Sequence, residues 1–146
     1  MYTVKWILPG ESPDDAFAVR KTVFVEEQGF SLEIELDEID AVAHHVVFYD
    51  REDKPVGCGR IFPDKAEPGT WIIGRVAALA HLRGTGLGRL LIEEMERRAK
   101  ALGAVKTVLG AQCRAAGFYR RMGYSPFGEH YYEEACEHVH MHKVLR

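Results

Sequence analysis

The stretch Arg83-Gly84-Thr85-Gly86-Leu87-Gly88 is the most informative part of this chain. It lies between an apolar run at 70–79, which is typical of a buried strand, and an amphipathic helix predicted at 87–102. A glycine-rich turn from a strand into a helix leaves several backbone N–H groups without partners at the positive end of the helix dipole. Such a turn attracts anions, so the stretch predicts a phosphate-binding site.

The spacing of the glycines excludes two common phosphate-binding motifs. A P-loop ends in Gly-Lys-Ser/Thr, whereas Gly88 is followed by Arg89 and Leu90. A dinucleotide fingerprint, Gly-x-Gly-x-x-Gly, needs a third glycine at position 89 or 91, where the chain has Arg89 and Leu91. What remains is Arg-x-x-Gly-x-Gly followed directly by a helix with one apolar face.

Composition indicates an ordinary globular protein with one domain, 1–146. The chain is 47% hydrophobic and 28% charged, and its net charge of -3 argues against nucleic acid as the main partner. It contains no apolar run near the ~20 residues of a membrane span, and its first residues lack a signal-peptide pattern. The three cysteines are widely spaced, which favours reduced thiols and a cytoplasmic location.

Hydrophobic periodicity and turn residues predict ten elements in the order β-α-β-β-β-α-β-α-β-β. Ser12 is predicted to cap the first helix, with Pro13 at its first position and Asp15 completing a capping box. Hairpins and helical crossovers both occur in this order, so the sequence predicts an α/β sheet of mixed direction. The predicted strands lie at 2–8, 41–49, 56–62, 70–79, 105–109, 124–127 and 138–145, and the helices at 13–27, 87–102 and 115–122.

A second motif follows the glycine stretch: Ala115-Ala116-Gly117-Phe118-Tyr119-Arg120-Arg121-Met122-Gly123-Tyr124. The two motifs together resemble the acetyl-CoA site of the GNAT superfamily of N-acetyltransferases, whose patterns are Gln/Arg-x-x-Gly-x-Gly/Ala and Ala-x-x-Phe-Tyr-x-x-x-Gly-Phe/Tyr. The stretch Val23-Phe24-Val25-Glu26-Glu27-Gln28 resembles the N-terminal helix of small, uncharacterised bacterial members. The resemblance covers nearly the whole chain. It implies a mixed, mostly antiparallel central sheet of six to seven strands flanked by helices.

The resemblance implies acetyl-CoA as the co-substrate and no metal. Arg83 would shape a loop whose backbone N–H groups hold the pyrophosphate, because glycines let the backbone approach a ligand closely. Gln112 and Phe118 would lie beside the cofactor. The residues of the phosphate loop would be Gly84, Thr85, Gly86, Leu87, Gly88 and Arg89. The residues that pair with the pantetheine arm would be Val76, Ala77 and Ala78.

The implied reaction transfers an acetyl group to a primary amine of a small molecule or peptide by direct attack. An N–H at Ala77 would stabilise the oxyanion, and Tyr119 would protonate the departing thiolate. Packing in the core is the alternative role for Tyr119. A non-catalytic CoA-binding regulatory module on the same fold is the alternative function.

The general base is left open by the sequence. Many GNAT enzymes use a carboxylate on the central strand, but Trp71-Ile72-Ile73-Gly74 offers none. Four other residues are candidates: Glu27, Glu33, His44 and His45. A water connected to bulk solvent, or an amine that arrives neutral, is an equal alternative. The acidic run at 33–40 is predicted to be a loop or a short helical turn that is solvated, and it would attract a cationic amine if it borders the cleft.

Three further features have weaker functional interpretations. His138, His140 and His142 alternate along a predicted strand and share one face, which is typical of a polar strand face and less often of a metal site. His138 is also a candidate to line the acceptor side. Cys113 is an alternative nucleophile without an evident partner base. A homodimer is the alternative in which exposed aromatics form the interface: Trp71, Tyr131 and Tyr132.

Overall fold

A seven-stranded sheet organises the fold, which the computed structural model describes for residues 1–32 and 36–146. Its strand order is β1-β2-β3-β4-β5-β7-β6, and β4 and β5 are the only parallel neighbours among the described residues. The mixed, mostly antiparallel sheet and the predicted element order are thereby confirmed. The strands are β1 (Thr3–Ile7), β2 (His44–Tyr49), β3 (Pro55–Pro63), β4 (Thr70–Ala78), β5 (Lys106–Gln112), β6 (Ser125–Glu133) and β7 (Cys136–Val144).

Helices cover both faces of the sheet around β3 and β4. On one face, α1 (Asp14–Arg20) continues as a π-helical segment (Lys21–Glu27) and packs Val19 and Val23 in a cluster with Val47 of β2. On the other face, α2 (Leu87–Ala101) buries an apolar stripe, as its helical spacing predicts. The short α3 (Ala116–Arg121) follows β5. No helix in the described ranges is long and apolar enough to cross a membrane.

The start of the first helix differs from the sequence prediction. The helix begins at Asp14, Pro13 is its N-cap residue, and among the described residues no side chain caps it. The Pro13 carbonyl accepts the first helical hydrogen bond, from the Phe17 N–H at 3.0 Å. The cap position therefore falls one residue later than predicted, and the capping box of Ser12 and Asp15 is wrong.

Strands β4 and β5 separate part of the way along their length. Their pairing runs from Thr70 opposite Lys106 to Ile73 opposite Leu109 and then ends, although both strands continue. At this level β4 has a β-bulge, because two of its residues, Arg75 and Val76, lie opposite one residue of β3. Arg75 has a left-handed backbone, with φ of 52°. A bulge bends and twists its strand, so it directs β4 away from β5 and opens a gap.

Strand β6 is longer than the predicted 124–127. It extends to Glu133 and forms a hairpin with β7. Nearly every residue of β6 is exposed, so the strand has little of the apolar alternation that marks a half-buried strand. The face of this hairpin opposite α2 carries stacked rings: Phe127 contacts His140 and His142, and Tyr131 contacts His138 and His140.

Candidate active site

A cleft of about 800 Å³ opens where β4 separates from β5. One wall is the end of β4, and the opposite wall is the end of β5 with the β6–β7 hairpin. The π-helical end of α1 closes a third side with Glu27 and Gln28. Six of the residues predicted to bind the cofactor line this cleft: Val76, Ala77, Ala78, Arg83, Gln112 and Tyr119.

The glycine loop, residues 83–89, lies between the end of β4 and the start of α2. Gly84 and Gly86 have left-handed backbones, with φ of 80° and 94°, and a side chain at either position would strain the backbone. A Cβ there would meet nothing within 4 Å, so the space in front of the loop is open. The first helical bond joins the Leu90 N–H to the Gly86 carbonyl at 3.1 Å. The first-turn N–H groups of Leu87, Gly88 and Arg89 therefore have no intrahelical acceptor.

The two sequence motifs contact each other through Gly88 and Phe118. A Cβ at Gly88 would lie 3.4 Å from the Phe118 ring, so the aromatic ring packs directly on the first turn of α2. Phe118 in turn meets Tyr119 edge to face, with ring centroids 5.0 Å apart. The second motif therefore supports the helix that carries the glycine loop.

Arg83 connects three parts of the site. Its guanidinium donates to the Ala78 carbonyl from Nε at 3.2 Å and from Nη2 at 3.0 Å. It also forms a two-point ion pair with Glu27, in which Nη2 lies 2.8 Å from Oε1. The hydrogen bond from Arg83 lowers the pKa of Glu27. Glu27 is therefore poorly suited to be the general base for which the sequence made it a candidate.

The pairing of β4 with β3 determines which backbone groups reach the cleft. The Leu79 N–H donates to the Val56 carbonyl at 3.0 Å, which makes Ala78 and its partner Gly57 a non-hydrogen-bonded pair. The next pair, Ala77 and Cys58, is then hydrogen-bonded, so the Ala77 N–H faces β3. The N–H and carbonyl of Ala78 face the gap. This geometry does not fit the predicted oxyanion contact of Ala77, because its N–H is directed at the neighbouring strand.

Tyr119 is half-buried and lines the cleft. Its ring contacts Phe118 and Tyr124, the latter at a centroid distance of 6.0 Å, so it is also packed against the core. Burial raises the pKa of Tyr119 to about 12. The phenol therefore stays protonated at neutral pH, as a proton donor must.

Gln112 crosses from β5 to the end of α1. Its Nε2 donates to the Gln28 side-chain oxygen at 2.8 Å, and its Oε1 accepts from Arg114 Nε at 2.8 Å. These contacts hold the end of β5 beside the helix on the far side of the gap. Arg114 and Gln28 also line the cleft, and the sequence analysis identified neither of them.

The two histidines that were candidates for the base do not reach the cleft. His44 packs on Trp71, with centroids 5.6 Å apart, and burial lowers its pKa. His45 is buried with Nε2 3.0 Å from the Asp40 carbonyl, and burial lowers its pKa as well. Neither imidazole belongs to the cleft lining. Glu33 lies outside the described residues.

An ion-pair network beneath the cleft was not predicted. Asp40 is buried and accepts from Arg20 at 2.7 Å and from Arg60 at 2.8 Å, and Arg60 also pairs with Asp37 at 3.0 Å. Burial raises the pKa of Asp40, but the hydrogen bond and charge of Arg20 outweigh it, so the pKa is lowered overall. The prediction of a solvated acidic loop is therefore wrong for Asp37 and Asp40.

The three histidines of β7 share one face, as alternation predicts, but all three pack on aromatic rings: His138 and His140 are stacked, and His142 meets Phe127 edge to face. Within the described part of the chain, the group of three or more His, Cys, Asp or Glu side chains whose potential ligand atoms lie within 4.8 Å of one another is Cys113, His130 and Glu137, and the three β7 histidines are not in it. Burial and the charge of Glu137 raise the pKa of the Cys113 thiol. A raised pKa disfavours the thiolate, so the environment opposes a nucleophilic role for Cys113.

Comparisons with known proteins agree with this architecture. The family model of the acetyltransferase (GNAT) domain matches residues 12–145. An uncharacterised N-acetyltransferase of Bacillus subtilis, YjcF, is 37% identical over 134 residues, which cover 91% of this chain and 93% of the relative. The crystal structure of Escherichia coli ElaA superposes with a TM-score of 0.86 at 25% identity, covering 98% of this chain and 99% of that one.

A second solved structure extends the likeness. An acyl-CoA N-acyltransferase from Pseudomonas aeruginosa superposes with a TM-score of 0.85 at 25% identity. The alignment covers 99% of this chain and 100% of that one. Fold, motifs and relatives therefore define an N-acyltransferase. The chain belongs to the GNAT acetyltransferase family, as its motif resemblance predicted.

Proposed function

We propose that this protein is an acetyl-CoA-dependent N-acetyltransferase that acetylates a primary amine of a small molecule or peptide. The observation that carries the proposal is the gap between β4 and β5, which opens beside the glycine loop. A thioester arm lying in this gap has the Ala78 N–H along one side, since the Ala78 carbonyl already accepts two hydrogen bonds from Arg83. Its phosphates then lie in front of Gly84 and Gly86, where, apart from each glycine and its chain neighbours, no described residue has an atom within 4 Å of the position that a Cβ would take.

The proposed cofactor contacts follow from these positions. The N–H groups of the glycine loop, from Gly84 to Arg89, hold the pyrophosphate at the positive end of α2. The pantetheine arm pairs with the backbone of β4 as an added strand, through Ala78 and, because strand residues alternate in direction, Val76. Arg83 fixes the geometry of the loop through Glu27 and the Ala78 carbonyl. Gln112 and Phe118 border the bound cofactor.

The proposed chemistry is direct attack of a neutral amine on the thioester carbonyl, without an acyl-enzyme. Binding both substrates in one cleft makes the reaction effectively unimolecular. An N–H of β4 on the gap side stabilises the oxyanion, and Val76 and Ala78 replace Ala77 in this proposed role. Tyr119 then donates its proton to the departing thiolate. We also propose that the enzyme acts in the cytoplasm, because its three cysteines, all described, form no disulfide.

Two measurements on the purified protein test this function. Calorimetry measures acetyl-CoA binding, and a thiol-reactive dye measures CoA release with a panel of amino acids, polyamines, peptides and benzylamine. We expect acetyl-CoA to bind and at least one amine to release CoA with formation of the N-acetyl product. Binding without acetylation of any amine in the panel would favour the regulatory module. Absence of acetyl-CoA binding would contradict both functions.

A further inference from the structure

One imidazole occupies the acceptor side of the cleft. His138 lies on β7 opposite Gln112 of β5, is only 5% exposed, and lines the cleft with Tyr131 and Glu133. The Tyr131 ring stacks on it, with centroids 5.4 Å apart and planes 25° from parallel. The position of His138 in β7 and its contact with the Tyr131 ring therefore hold the imidazole in one orientation.

The hydrogen bond of His138 defines its tautomer. Nδ1 lies 2.8 Å from the Cys136 carbonyl oxygen, which accepts hydrogen bonds and cannot donate them. The neutral imidazole therefore carries its proton on Nδ1, and Nε2 has the free lone pair. Nε2 lies 3.9 Å from a carboxylate oxygen of Glu133, which also lines the cleft. The basic nitrogen is thus next to a carboxylate that attracts cations.

Other bases around the cleft are occupied or misplaced. Glu27 is paired with Arg83, and Glu134 accepts a hydrogen bond from the Ser31 N–H at 2.8 Å. His44 and His45 lie outside the cleft lining. Among the described residues, His138 is the histidine that lines the cleft. Its hydrogen bond to the Cys136 carbonyl is made by Nδ1, so the basic Nε2 does not take part in that bond.

We propose that His138 Nε2 is the general base of the reaction and that Glu133 draws the protonated acceptor amine toward it. This inference rests on the proposed acetyl transfer. The ammonium gives one proton to Nε2, and its lone pair forms a bond to the thioester carbonyl carbon. The C–S bond then breaks, and the thiolate takes a proton from Tyr119. The amide nitrogen and the imidazolium release their extra protons to solvent, which reprotonates Tyr119, so the net products are N-acetyl amine, CoA and one proton.

The test compares His138→Asn with wild type. Asparagine places an amide N–H near the position of Nδ1 and keeps a donor for the Cys136 carbonyl, but it has no basic nitrogen. His138→Gln is a second variant in case the first folds poorly, and both are checked by thermal melting. His140→Asn is the matched control, because it removes a histidine from the same face of β7 that does not line the cleft.

CoA release is measured at pH 7 with benzylamine, which is mostly protonated, and with hydroxylamine, which is mostly neutral. We expect His138→Asn to lower kcat/KM for benzylamine by about 100-fold but to leave the hydroxylamine value within about threefold, because a base removes protons only from the protonated nucleophile. The acetyl-CoA affinity of His138→Asn should equal that of wild type. The control His140→Asn should match wild type in its turnover of both nucleophiles. In wild type the rate of CoA release with benzylamine should fall as the pH is lowered. The ionisable groups that face His138 in the cleft are Glu133 and Tyr131.

Three results would overturn the inference. The first is wild-type benzylamine turnover by His138→Asn, and the second is an equal loss with both nucleophiles while acetyl-CoA still binds, which indicates positioning instead of proton transfer. The third is that the wild-type protein binds acetyl-CoA but releases no CoA with either nucleophile. A protein that neither binds acetyl-CoA nor acetylates any amine overturns the proposed function itself, so the two failures are distinguishable.

Discussion

The two halves of the sheet differ in how they are covered. In the half formed by β1 to β4, α1 covers one face and α2 the other, and the central strands β2 and β3 are buried along most of their length. Strand β1 is the more exposed edge of this half, which we call the enclosed half. Strands β5 and β7 pack one face on the core, whereas β6 is exposed along nearly all of its length. The opposite face of β7 and β6 presents histidines and aromatic rings. The halves meet through the short parallel pairing of β4 with β5.

This difference separates two requirements of an acyltransferase. The enclosed half offers fixed backbone groups at Ala78 and the glycine loop, which suit a constant ligand such as a coenzyme. The open half offers side chains, including His138 and Glu133, which suit a variable acceptor. Donor recognition is therefore expected to depend on backbone conformation, and acceptor recognition on side chains of the β6–β7 hairpin.

Asp40→Asn tests how far the enclosed half depends on its ion-pair network. The carboxylate is contacted by two buried guanidiniums, Arg20 and Arg60, so losing its charge is expected to destabilise the fold by about 3 kcal/mol. Urea denaturation measures the change. Glu52→Gln is the control, because Glu52 and Lys54 are exposed and 3.9 Å apart, and it should change stability by less than about 0.5 kcal/mol. Equal stability of the two variants would show that the network is not needed.

Tyr119→Phe tests the proton donor between the two halves. The proposed role predicts a fall in kcat of roughly 100-fold with little change in acetyl-CoA affinity. Because burial raises the pKa of Tyr119 to about 12, wild type should lose no activity through its ionisation below about pH 11. Tyr124→Phe is the control: its hydroxyl bonds to Thr107 and Glu96, each at 2.8 Å, so it should lower stability without lowering kcat. Unchanged kcat in Tyr119→Phe would leave only the packing role.

Gly86→Ala tests whether the donor site depends on backbone conformation. A methyl group at φ of 94° strains the loop by about 1 kcal/mol or more, so acetyl-CoA affinity should fall by roughly 10-fold in calorimetry. Gly10→Ala is matched to it, because Gly10 has φ of 89° and also has open space around its Cβ position. The control should lose similar stability but keep its affinity. A loss of affinity in both variants would assign the effect to general destabilisation.

Acidification tests the titratable groups of the enclosed half. Burial lowers the pKa of His45, so the unfolded chain binds its proton first, and stability is lost as the pH falls below about 6.5. The lowered pKa of Asp40 adds a second loss below about pH 4, because its stabilising contribution is present above the unfolded pKa. Melting temperatures between pH 7.5 and 3 should fall in these two stages. In His45→Gln the first stage should be smaller, and an unaltered first stage would exclude His45 as its source.

The enclosed half was predicted well from the sequence because its apolar periodicity is strong. The strand at 70–79 and the helix at 87–102 match β4 and α2 to within one residue at each end. The open half was predicted less well. Strand β6 was predicted to end at Phe127 but continues to Glu133, since its exposed residues give no periodic signal.

The residues of the candidate site also differ in how well they could be predicted from the sequence. The glycine loop and the Phe118–Tyr119 motif are local patterns, and the sequence identified both. The direction of the Ala77 N–H depends on strand register, and Asp40 meets arginines 20 residues away on either side in sequence. Such long-range pairings have no local signal. His138 was predicted only as a candidate to line the acceptor side, because its tautomer depends on a hydrogen bond to the Cys136 carbonyl that the sequence does not reveal.

Backbone amide shifts on titration with CoA test the central claim most directly. If the donor lies in the gap between the two halves, isotope-labelled protein should show its largest shifts at Val76, Ala78, Gly84, Gly86 and Gly88. A second cavity, whose lining includes Glu96, His142 and Lys143 and none of these five residues, should be unaffected. Shifts concentrated at that second cavity, or no shifts at saturating CoA, would contradict the account.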